Sequence, residues 1–222
     1  MNAQLDSIRD RAALLLAEIP SNVTLEAAVK KRSAQEAAAA YEGGIRIFGH
    51  NYVQEAQRML PDITFSAQWH LIGHLQSNKA SVAVDAFDMI ETLDSLNLAQ
   101  RLNQYCEKSG KILPVLIEVN SGREANKNGV MPEAVEALAV QISGLKNLKL
   151  DGLMTMGPLS AEERDSRPYF KTTRLIFEAL SRFELSTGGM RVLSMGMSGS
   201  YRVAIDEGAT IIRLGTALFG PR

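Results

Sequence analysis

The chain has 222 residues, 45% hydrophobic and 22% charged, with a formal net charge of -1. That balance fits a globular domain, gives no basic footprint for nucleic acid, and contains no apolar run near the roughly 20 residues of a membrane span. Cys106 is the single cysteine, which excludes an intramolecular disulfide, and the polar start of the chain is unlike a signal peptide; a cytoplasmic monomer is expected.

Leu5, Ile8, Ala12, Leu15 and Leu16 recur at helical spacing and predict an amphipathic helix from Asn2 to about Glu18. Pro20-Ser21-Asn22 breaks it, and a first strand runs from Thr24 to Lys30. An alanine-rich helix from Ala34 leads to a second strand, Ile45–Phe48, which ends Gly49-His50-Asn51; a helix Tyr52–Leu60 follows. Trp69–Gly73 is the third strand, with His74 to Lys79 entering a helix, and Met89–Asp94 is the fourth, followed by a helix from Ser95 to Lys108. The fifth strand, Leu113–Asn120, is a nearly continuous apolar run of the kind that is covered on both faces. A helix Pro132–Ser143, a strand Leu148–Met156, a charged loop, a helix Tyr169–Leu185, a strand Arg191–Ser198, a short helix Ser200–Glu207 and a strand Thr210–Leu214 complete the chain.

Eight strand-like segments alternating with helices predict a single (β/α)8 barrel over residues 1–222, with an extra N-terminal helix. An open doubly wound sheet is the rival, but no G-x-G-x-x-G fingerprint follows the first strand.

In such a barrel, chemistry collects at the C-terminal ends of the strands. Lys30 stands at the first of these ends, where a buried neutral amine forms an imine with an aldehyde. Ser198-Gly199-Ser200 and Gly215-Thr216 follow the last two strands, which are neighbours in a closed barrel, and their backbone N–H groups suit an anion. Phosphate plus an imine-forming lysine points to pyridoxal 5′-phosphate (PLP). Arg213, if its guanidinium faces the pyridine nitrogen, leaves that nitrogen unprotonated, because a guanidinium only donates. Such a ring is a weaker electron sink.

Phe48-Gly49-His50-Asn51-Tyr52-Val53-Gln54-Glu55, Trp69-His70-Leu71-Ile72-Gly73-His74-Leu75-Gln76-Ser77-Asn78-Lys79, Gly152-Leu153-Met154-Thr155-Met156, Ser194-Met195-Gly196-Met197-Ser198 and Arg213-Leu214-Gly215-Thr216 resemble the PLP homeostasis proteins, the YggS/PROSC family. The resemblance covers nearly the whole chain. It implies a barrel like the N-terminal domain of alanine racemase, a PLP Schiff base on Lys30 rather than Lys31, phosphate contacts at Ser198, Gly215 and Thr216, and Arg213 at the pyridine nitrogen. It places Asn51 in the same pocket. It further implies a carrier that buffers PLP and serves PLP-dependent apo-enzymes without robust turnover, since the second domain of alanine racemases is not expected in a chain ending at Arg222.

Three positions depart from the family pattern: His50 where Glu is usual, Val29 where a small residue is usual, and Gly199-Ser200-Tyr201 where an acid is usual. His50 and Gly199 are expected at the mouth of the site. Two other functions are therefore weighed. One is a racemase-like PLP enzyme with His50, His70 or His74 moving the proton. The other is a PLP-free hydrolase or aldolase with Ser198 or Lys30 as nucleophile and His50 as base. The three histidines match no familiar metal-ligand spacing, and no metal is expected.

Overall fold

The computed structural model describes residues 3–157, 166–183, 185 and 188–221. Its sheet is a closed barrel of parallel strands: β1 (Thr24–Ala28), β2 (Ile47–His50), β3 (Gln68–Leu71), β4 (Met89–Leu93), β5 (Leu113–Glu118), β6 (Leu148–Met154), β7 (Gly188–Ser194) and β8 (Ile211–Leu214), in sequence order. β8 returns to β1 with Thr24 opposite Ile211 and Glu26 opposite Arg213, which closes the ring. The expected (β/α)8 barrel is the architecture found.

Helices lie between the strands in chain order: α1 (Ala3–Glu18), α2 (Ala34–Glu42), α3 (Val53–Met59), α4 (Ala80–Ala86), α5 (Leu96–Ser109), α6 (Val135–Ser143), α7 (Arg167–Leu180), α8 (Tyr201–Asp206) and α9 (Thr216–Phe219). Local chemistry sets their ends. Ser33 and Glu36 form a reciprocal capping box at the start of α2. Ser95 caps α5, and Gly110 stops it with φ 66, a left-handed conformation that glycine adopts without penalty. α1 is the extra N-terminal helix; Ile8 and Ala12 are buried, and Arg11 Nε donates to the Leu218 carbonyl of α9 at 2.7 Å. Among the described residues, no helix is long and apolar enough to cross a membrane.

Several boundaries differ from expectation. β1 ends at Ala28, β6 at Met154 and β7 at Ser194, each short of the predicted end. The chain bends away from the ladder there, with Lys31 at φ 58 and Gly196 at φ 90. β7 begins at Gly188 rather than Arg191. α7 begins at Arg167, with Pro168 in its first turn where the missing N–H costs nothing, and stops at Leu180 rather than Leu185. The stretch from Ser77 to Lys79 is a 3-10 turn before α4. Most of the charged loop predicted before α7, residues 158–165, lies outside the described residues.

The main core fills the layer between strands and helices and runs from Ile8 to Phe219. Strand alternation sends the other set of side chains into the barrel, where Met89, Leu116 and Met154 form a small separate apolar cluster. Gly73, just past β3, sits so close to the end of β2 that a Cβ there would lie 2.1 Å from the Asn51 carbonyl oxygen. The partner is backbone, so it cannot rotate away. Gly73→Ala is expected to lower unfolding free energy by about 1–3 kcal/mol, read from a urea midpoint; an unchanged midpoint would refute the contact.

Candidate functional site

The barrel interior carries charge as well as grease. Glu26 on β1, His70 on β3, Glu91 on β4, Ser194 on β7 and Arg213 on β8 are all buried and project inward from their strands. Glu91 is their centre. Its Oε1 lies 2.9 Å from His70 Nδ1, and its Oε2 accepts from Ser194 Oγ at 2.6 Å. Arg213 Nη1 donates to the same Ser194 hydroxyl and lies 3.9 Å from Glu91 Oε2. Its Nη2 donates to the Thr155 carbonyl at 2.8 Å. The guanidinium is thus held from two strands at once.

Burial raises a carboxyl's pKa and lowers an imidazole's, while an opposite charge does the reverse. For Glu91, burial pushes upward, but the hydrogen bond and charge of His70, with Arg213 and Ser194, outweigh it and hold the group low. For His70, burial pushes downward, but Glu26 and Glu91 raise it to about 10. Glu26, 3.5 Å from His70 Nδ1, is raised to about 7 by burial and then by Glu91. Neither of its oxygens has a hydrogen-bond partner among the described residues, which suits a carboxyl that holds its proton until the pH nears 7. Glu118, on β5, is likewise raised to about 7 by burial and by Asp94. Glu26, His70 and Glu91 have the mutual spacing of a metal site. With Glu91 ionised, however, His70 Nδ1 must be the donor to it, and a protonated nitrogen offers no lone pair to an ion.

At the C-terminal ends of the strands a cavity of about 470 Å³ opens. Its size is in the range of small-molecule sites. Lys30, Asn51, Ser198, Arg213, Gly215 and Thr216 all line it. Among the described residues no carboxylate does, and the charged side chains of its wall are basic. Lys30 lies two residues past β1 on the same parity as Glu26 and Ala28, and so it turns inward. Lys31, in the left-handed region, lines a different cavity with Arg32, Glu55 and Arg58. Ser198 Oγ accepts from the Ala217 N–H at 3.1 Å, which ties the turn after β7 to the start of α9. Gly199 also lines the cavity, and a Cβ there would meet nothing within 4 Å.

His50 is not at the mouth. Gly49 is the inward residue of β2, its absent Cβ facing Glu26, so His50 falls on the outer face by strand alternation. It is fully buried, stacked on Trp69 at 5.6 Å and tilted against Phe87 at 6.2 Å. Burial lowers its pKa to about 4, and neither ring nitrogen has a hydrogen-bond partner among the described residues. A proton carrier for the cavity cannot work from there. His70 is committed to the carboxyls beneath, and His74 pairs with Asp94 at 3.4 Å outside the lining of this cavity. Of the supporting residues, Thr155 and Ser194 fall within the quoted motifs, whereas Glu26 and Glu91 carry no motif-like spacing. Their one signal in the sequence is an isolated acid inside an otherwise apolar strand, as in Leu25-Glu26-Ala27 and Ile90-Glu91-Thr92.

Known proteins resemble this chain in sequence and fold. Residues 3–222 match the family model described as alanine racemase, N-terminal domain. The pyridoxal phosphate homeostasis protein of Synechocystis sp. is 38% identical over 213 residues, 94% of this chain and 95% of the relative. The chain belongs to the pyridoxal phosphate homeostasis protein family. PipY of Synechococcus elongatus PCC7942, solved with PLP bound, superposes with a TM-score of 0.86 at 36% identity, covering 96% of this chain and 100% of PipY. An alanine racemase of Clostridium difficile 630 shares the fold, with a TM-score of 0.80 at 15% identity, and this chain covers 57% of it.

In this family member the buried acid Glu26 makes stability depend on pH. Its folded pKa of about 7 exceeds the ordinary 4.5, so the folded protein keeps a proton that the unfolded chain releases. Stability is therefore lost as pH rises from 4.5 through 7. Glu26→Gln removes this loss, by on the order of a few kcal/mol. Urea midpoints measured at pH 5 and pH 8 should show the variant gaining on the parent at the higher pH; a pH-independent difference would contradict the buried neutral carboxyl.

Proposed function

We propose that this protein binds PLP in the cavity at the barrel mouth and acts in PLP homeostasis, carrying and buffering the cofactor through a Schiff base on Lys30. The observation that carries the reading is the convergence of Lys30, Ser198, the Gly215-Thr216 turn and Arg213 on one cavity that no carboxylate lines among the described residues. PLP brings an electrophilic aldehyde, a phosphate and a pyridine nitrogen; the donor set fits all three. PipY, a relative at 36% identity, carries PLP in its solved structure.

Lys30 supplies the amine. Ser198 and the backbone N–H groups of Gly215 and Thr216, at a helix start where such groups lack intrahelical acceptors, hold the phosphate. Asn51 closes the wall beside Lys30. Arg213 donates toward the pyridine nitrogen, and the brace of Ser194, Glu91 and the Thr155 carbonyl keeps it from swinging away. Replacing the guanidinium would leave the Thr155 carbonyl without this donor and remove one cation from beside Glu91. The ring is left a weak electron sink, which favours holding the cofactor over transforming an amino acid.

This reading extends to residues 1–222 as one PLP-binding domain, to a cytoplasmic monomer, and to PLP-dependent apo-enzymes as recipients. Neither rival gains support from the geometry. The racemase-like reading needs a proton carrier at the cavity, and the hydrolase reading needs a base beside Ser198, whereas His50 stacks in the outer layer.

Purified protein given PLP and freed of excess should show a visible absorbance band that borohydride abolishes. Lys30→Ala should lose the band and Lys31→Ala should keep it. A band surviving Lys30→Ala would move the assignment to Lys31 or Lys79, and no band in the parent protein would overturn PLP binding.

A further inference from the structure

A second cavity, of about 450 Å³, opens beside the first, and the two share Asn51, Ile72 and Met156 as a common wall. Among the described residues its charged lining is His74 and Lys79, with no carboxylate. Gln54, Gln76 and Asn128 add side-chain amides. Thus, among the described residues, Lys30, Arg213, His74 and Lys79, the ionisable side chains other than Tyr52 that line the two spaces, are all basic, in a chain whose formal net charge is -1. Composition does not force that segregation. A cleft lined by one sign of charge concentrates ligands of the other.

The two basic groups of the second cavity differ in their attachments. Asp94 lies 3.4 Å from His74 Nδ1 and orients the ring from behind. Lys79 is half-buried at the end of its 3-10 turn, and its ammonium has no ion-pair partner among the described residues. An unpaired ammonium at the wall of a cavity is free to pair with an anion that enters it. Lys30 stands at the border: its Nζ lies 5.2 Å from the centroid of the Tyr52 ring, and Tyr52 lines the second cavity.

We infer that the second cavity receives a carboxylate-bearing primary amine, a free amino acid, with Lys79 and His74 holding the carboxylate while the amine reaches the carbon joined to Lys30. The inference rests on PLP binding at Lys30 and names what meets the cofactor there. The exchange is balanced without any oxidant. The incoming nitrogen forms a C–N bond to that carbon, the bond to Lys30 Nζ breaks, and the two hydrogens of the incoming amine pass to Nζ, which leaves as a free amine.

The test is a spectral titration of the PLP-loaded protein with amino acids of increasing chain length and with the matching amines that lack the carboxylate. At least one amino acid should half-saturate at a concentration about tenfold below its decarboxylated partner, the value of one charged hydrogen bond. Lys79→Met should bring that ratio close to one, and Lys79→Arg should restore it. If Lys79→Met moves both half-saturations by the same factor, or neither, Lys79 does not read the carboxylate and the inference falls. Should the parent protein show no PLP band, the cofactor reading fails by itself. Calorimetry of the same amino acids on the PLP-free protein then decides the second cavity: heat lost in Lys79→Met supports it, and no heat in the parent overturns it.

Discussion

The buried pairing of Glu91 with His70 and, through Ser194, with Arg213 is the constraint around which the interior is arranged. A lone guanidinium inside a barrel is costly to desolvate, and a lone carboxylate equally so. Each is tolerable here because four strands contribute to one connected set, with Glu91 accepting from both sides. Glu26, raised to about 7 by burial and by Glu91, is the member whose charge changes around neutral pH, and its ionised form offsets the second of the two cations, His70 and Arg213. Closing the ring between β1 and β8 brings Glu26 level with Arg213, which makes the electrostatics a product of barrel closure.

The cavity above inherits its character from that floor. Arg213 is held with its donors fixed, and the short ends of β1, β7 and β8 release chain into loops that carry Lys30, Ser198 and Thr216 to the rim. The choice between Lys30 and Lys31 comes down to parity. The inward alternation of β1 continues two residues past its last ladder position, and the bend at Lys31 sends the next side chain elsewhere. One residue of slip would exchange the two lysines.

The same rule explains the misplaced histidine. His50 sits beside Asn51 in sequence, and adjacency at a strand end reads naturally as adjacency in a site. Within a strand, though, neighbours face opposite ways. His50 faces the aromatic layer of Trp69 and Phe87, while the glycine before it faces the barrel. His70 shows the converse. Its surroundings of carboxyls from β1 and β4 come from residues 44 and 21 positions away, and nothing local in Trp69-His70-Leu71 announces them.

The sequence by itself determined the repeating strand and helix pattern, the barrel, the family and the residues that meet at its mouth. Alternating apolar runs, capping residues and turn glycines are local signals, and the order of elements leaves little topological choice. Tertiary structure alone decided which face each strand residue took, that His50 turns outward, and that Glu26, His70, Glu91 and Ser194 brace Arg213. It also decided that the cavity lined by Lys79 adjoins the one lined by Lys30. Those relations depend on strand register, barrel closure and the bends that end each strand, which bring together side chains that no local spacing links.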